Sequence, residues 1–92
     1  MAGYYENKDV LGRRLRRIEG QVRGIQRMVE ADSYCIDILT QITAINGALD
    51  KVAVALFQDH LAHCVADSIA SGHDGDVKVK EAAQAVERLL KR

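Results

Sequence analysis

Ninety-two residues make one small domain, at the low end of the sizes that fold unaided. The chain is 48% hydrophobic but only 4% aromatic, has no proline, and carries a formal net charge of zero. Neutrality argues against indiscriminate polyanion binding. No apolar run approaches the roughly 20 residues of a membrane-spanning helix, and the N-terminus shows no signal-peptide core. The expected setting is cytoplasmic with no membrane partner, where two cysteines point to metal or thiol chemistry rather than a disulfide. A chain this short and this apolar is expected to complete its core by oligomerising.

The first element is a helix over residues 7–31. Leu11, Leu15, Ile18, Val22, Ile25 and Val29 alternate four- and three-residue steps, a sustained heptad seam. "ADSY" interrupts it, with Asp32 or Ser33 as N-cap for the next helix. That helix runs over residues 34–69 on the seam Ile38, Ile42, Ile45, Leu49, Val52 and Leu56, weakened only at Gly47. "ASGHDGD" is a loop with N-cap candidates Asp74 and Asp76, and His73 in it reads as solvated. A third helix over residues 77–90 carries the stripe Val79, Ala82, Val86 and Leu89. The fold class is all-α, within a single domain.

Net neutrality hides an asymmetry. Residues 6–27 hold seven basic and three acidic side chains, a net of +4, whereas residues 30–76 set Lys51 alone against eight acids, a net of −7. At about 100° per residue, Arg13, Arg16, Arg17, Arg23 and Arg27 fall opposite the first seam, with Gly20 and Gly24 among them. Each helical glycine is worth about 1 kcal/mol less than alanine. Two on one face fit a partner that approaches the backbone while guanidinium groups reach across it. Duplex DNA phosphates meet that description. An ordinary solvated face also puts charge opposite a seam, but the glycines and the scarcity of acids favour nucleic acid.

The stretch "DHLAHCV" supplies metal donors. On a helix His60 and Cys64 share a face, with His63 beside them. Cys35 stands 29 residues before Cys64, roughly 43 Å along one helix. One unbroken helix does not bring them together, but two copies do. If second helices pair antiparallel about a two-fold axis near Ala48 or Leu49, Cys35 of each chain faces the 60–64 turn of the other. Gly47 and Ala48 would permit close approach there. Two identical sites result, each with two thiolates and one imidazole. That soft, three-donor set suits Cu(I); zinc would want a fourth donor from His63 or water. The chain shows no oxyanion hole or substrate cleft for a catalytic cysteine, so no enzyme activity is expected. Thiol sensing through Cys35 and a structural zinc staple stay open as alternatives.

With "LGRRLRRIEGQVRGIQRMVE", "YCIDILTQITAINGAL" and "HLAHC", nearly the whole chain resembles the bacterial copper-sensing repressor family known from its CsoR-type members. The resemblance implies a three-helix protomer with long antiparallel helices, a four-helix-bundle-like dimer, and a dimer of dimers without a winged or helix-turn-helix motif. It implies that metal-free protein holds a copper-efflux operator and that Cu(I) releases it. The family's metal motif falls on Cys35, His60 and Cys64. Tyr34 and Glu81 match outer positions that resemble the copper branch, linking the site to the third helix. Arg14 and Lys51 match basic positions implicated in operator binding, with lysine at 51 replacing the more usual arginine. Nickel and cobalt sensors resemble a Cys-His-His set with an added N-terminal histidine, whereas residue 64 here is Cys and residues 2–7 contain no histidine. Formaldehyde sensors use an N-terminal proline, and persulfide sensors carry their second cysteine where this chain has His60. The remaining alternatives are a formaldehyde or persulfide sensor of the same superfamily and a metal chaperone or zinc-stapled oligomer that binds no DNA.

Overall fold

A computed structural model describes residues 5–72 and 74–91; His73 lies outside them. A short 3-10 turn at Tyr5–Asn7 leads into α1 (Lys8–Glu30). There follow α2 (Cys35–Asp59), a π-helical turn (His60–Val65), α3 (Ala66–Ser71) and α4 (Gly75–Leu90). No strand occurs among the described residues, so the all-α expectation holds. By packing, the chain divides into two compact units that meet inside α2, Glu6–Val54 and Ala55 onward.

In the first unit α1 and α2 form an antiparallel hairpin. Leu11 and Ile18 are buried on α1, and Ile45 and Val52 on α2, each pair seven residues apart. Arg14, Arg17 and Ile18 of α1 and Ala44, Gly47, Ala48 and Lys51 of α2 line one cleft between the two helices. Each seam therefore splits in two. The subset Leu11, Ile18, Ile45 and Val52 closes the hairpin, each side chain contributing about 1.5–3 kcal/mol by leaving water. Leu15, Val22 and Val29 on α1, with Ile42 and Leu49 on α2, stay exposed.

The turn between the helices corrects the expected caps. The Asp32 N–H donates to Val29 O (3.2 Å) and the Ser33 N–H to Met28 O (2.9 Å), a Schellman closure with Asp32 left-handed at φ 55°. Asp32 thus ends α1 instead of starting α2. The Tyr34 carbonyl begins α2, accepting from the N–H groups of Asp37 (3.0 Å) and Ile38 (3.3 Å).

The expected helix over 34–69 is α2, the π turn and α3 in succession, the last two in the second unit. The Ala66 N–H reaches Leu61 O as well as His63 O, the five-residue spacing of π geometry. Gly72, left-handed at φ 74°, ends α3, and α4 then packs on α3 and the π turn. Val65 and Ala82 are buried there. Asp74 occupies the N-cap of α4 in a left-handed conformation (φ 57°) without a side-chain cap, and its carbonyl accepts from the Lys78 N–H (2.9 Å). Asp76 lies in the first turn rather than at the cap. A Cβ on Gly75 would meet Ile69 Cγ1 at 3.1 Å, so glycine permits this close approach of α4 to α3.

Candidate metal centre and nucleic-acid interface

His60, His63 and Cys64 all lie in the π turn and are half-buried. Five-residue hydrogen bonding winds about 80° per residue in place of about 100°. Residues four apart still share a face, so His60 and Cys64 remain a donor pair. His63 is turned roughly 115° from His60, against about 60° in an α-helix. The turn thus favours the pair His60 and Cys64 over any pair containing both histidines. Nothing in the composition of "HLAHCV" announces π geometry, and the sequence reading missed it.

Cys35 is the first residue of α2 and is exposed; neither it nor Cys64 is in a disulfide. Among the described residues no three His, Cys, Asp or Glu side chains of one chain converge as a metal site. His60 and Cys64 thus share one turn, four residues apart, while Cys35 belongs to the other compact unit. Tyr34 is 69% exposed, and its carbonyl, by starting α2, fixes the backbone that carries Cys35. Glu81 lies on α4 next to the buried Ala82, its carboxylate 3.9 Å from Lys78 Nζ at an exposed site. An exposed pair at that separation contributes little to stability.

The basic residues divide into a cleft and a face. Arg14 and Arg17 of α1 and Lys51 of α2 line an open cleft of about 460 Å³, with Ile18, Ala44, Gly47 and Ala48 as its apolar part. Gly47 and Ala48, which the sequence reading set at a two-fold axis, form the wall of this cleft. Their small side chains leave its space unfilled. Arg13, Arg16, Arg23 and Arg27 are exposed on α1. A Cβ on Gly20 would meet nothing within 4 Å, and one on Gly24 only Arg27 Nη2 at 3.8 Å. No packing among the described residues requires either glycine. Three cations therefore line one concavity, with no acidic side chain among its lining residues.

Residues 7–91 match the family described as "Metal-sensitive transcriptional repressor". The copper-sensing transcriptional repressor RicR of Mycobacterium tuberculosis is 53% identical over 90 residues, 97% of this chain and 94% of that protein. The copper-sensing transcriptional repressor CsoR of Bacillus subtilis is 51% identical over 86 residues, 94% of this chain and 84% of that one. Among solved structures, the copper-sensing repressor CsoR with Cu(I) from Geobacillus thermodenitrificans superimposes with a TM-score of 0.87 at 45% identity. That match covers 92% of this chain and 88% of the other.

Proposed function

This chain belongs to the metal-sensitive transcriptional repressors, and from that premise we propose that it is a Cu(I)-responsive repressor, holding operator DNA when metal-free and releasing it on binding Cu(I). The regulated genes would be those of copper efflux and resistance, and the role is regulatory rather than catalytic. Its setting is the cytoplasm, where the DNA is; among the described residues no helix is long and apolar enough to cross a membrane.

The observation that carries the metal assignment is the exposed stripe on α2. Ile42, Leu49 and Leu56, seven residues apart, are each between 36% and 42% exposed and are centred on Leu49. A two-fold axis at Leu49 sets Ile42 of one protomer against the partner's Leu56, and Cys35 against the partner's His60–Cys64 turn. The exposed Leu15, Val22 and Val29 of α1 join the same apolar layer, which gives a four-helix-bundle-like dimer and, by further pairing, a tetramer. Cys35 of one protomer and the partner's His60 and Cys64 then hold the metal. Two thiolates and an imidazole fit Cu(I), which accepts three soft donors. The turned-away His63 disfavours a fourth ligand for zinc.

Operator phosphates would lie along Arg13, Arg16, Arg17, Arg23 and Arg27, with Arg14 and Lys51 meeting them at the cleft. Coupling runs from the donors in the π turn to α4, which packs directly on that turn. Tyr34 and Glu81 serve as outer partners of the imidazole. Release requires Cu(I) to favour the DNA-incompetent state, with the same coupling free energy seen from either ligand.

Anaerobic titration of the DNA-bound protein with Cu(I), Zn(II) and Ni(II) tests this reading; Cu(I) alone should release DNA at stoichiometric metal. Release by formaldehyde or persulfide but not by copper would move the chain to the thiol sensors. Metal binding without any DNA affinity would make it a chaperone or a zinc-stapled oligomer.

A further inference from the structure

Among the described residues, Gln21 Oε1 is the buried side-chain polar atom without a hydrogen-bond partner. Gln21 follows Arg17 by four residues and Arg14 by seven on α1, so its amide lies on the side of the helix that lines the basic cleft. A buried acceptor with no donor destabilises the fold that contains it. DNA backbone does not supply the missing donor, because phosphate oxygens only accept. A protein N–H can supply it, and the long N–H-bearing side chain a single turn away is Arg17.

We propose that Gln21 is a positioning residue for DNA binding, whose buried carbonyl oxygen receives an N–H of Arg17 when that guanidinium bonds a backbone phosphate. The proposal rests on the cleft being part of the DNA surface. A guanidinium has five N–H donors. A bidentate contact to phosphate uses two, and one of the others is free to reach Oε1. Arg17 is exposed in the isolated protomer and its guanidinium does not bond Oε1 there. On DNA the same bond fixes the guanidinium plane and satisfies the buried oxygen. In the isolated protomer Oε1 has no donor, and a donor gained only on DNA favours the bound state.

Gln21→Met keeps the length and removes the acceptor. Its melting temperature should rise above the parent's, while affinity for a mixed-sequence duplex of about 30 base pairs at low salt should fall roughly five- to tenfold. In an Arg17→Ala background the same substitution should change duplex affinity no further, since the group it acts through is gone. The proposal is overturned if Gln21→Met binds duplex like the parent. It is equally overturned if the loss has the same size in both backgrounds, or if the melting temperature falls. Should Arg17→Ala itself bind duplex like the parent, the cleft is not a DNA surface and the reading beneath the proposal fails with it.

Discussion

The hairpin of residues 6–54 and the segment from Ala55 onward are both helical, but they reach stability in different ways. In the hairpin, regular α geometry presents buried residues at seven-residue intervals, Leu11 and Ile18 on α1 and Ile45 and Val52 on α2. Beyond Ala55 the backbone departs from regularity: a π turn, left-handed Gly72 and Asp74, and a glycine wedged against Ile69. Only Val65 and Ala82 are buried among its described residues. The hairpin carries the cationic cleft, and the irregular segment carries His60 and Cys64. A regular element suits the face proposed to match a periodic duplex. An element with few buried side chains suits the end proposed to respond to a ligand.

The sharpest way to break this comparison is through the exposed stripe that would join copies of the chain. Leu49→Glu places a charge at the centre of the proposed pairing, at a position 42% exposed in the protomer. Sedimentation should show the assembly falling to monomers while circular dichroism stays helical. Cu(I) affinity should drop by two orders of magnitude or more, on the order of 3 kcal/mol. A variant that stays assembled and binds copper tightly would remove the two-fold at Leu49.

Next in size is the hairpin core. Ile45→Ala should destabilise the protein by about 2–4 kcal/mol in chemical denaturation, because it empties a site flanked by two helices. Ala82→Gly, at the buried position of the second unit, should lose only about 1 kcal/mol. Equal losses at the two positions would erase the distinction between the regions.

Gly75→Ala should lose about 1–2 kcal/mol, since its Cβ would sit 3.1 Å from Ile69 Cγ1 and 3.4 Å from Ile69 Cα. This variant also sharpens the functional half of the comparison. Displacing α4 should alter DNA release by Cu(I) more than Cu(I) affinity itself. Equal changes in both would argue that α4 serves only to hold the donors.

The smallest expected effect is a gain. Asp32→Gly relieves a left-handed backbone at φ 55° and should raise stability by about 1 kcal/mol, read as a shift of the thermal midpoint, without touching metal or DNA affinity.

Much of this was legible in the residues themselves. Helix positions follow from apolar periodicity and the two polar interruptions. The expectation that Cys35 meets its partners in a second copy follows from helical rise over one assumed unbroken helix. The basic face follows from angular spacing, because these properties depend on near neighbours along one chain. Tertiary structure decided the rest. A heptad seam cannot show which of its two subsets closes the hairpin and which is left outside, since they lie within about 60° of each other on the helix; the register between α1 and α2 makes that choice. The same register brings Lys51 to Arg14 and Arg17, and turns Gly47 and Ala48 from spacers into a cleft wall. The π turn lies where α4, from a distant part of the sequence, packs onto residues 60–65, and local composition does not distinguish that backbone from a continuing α-helix.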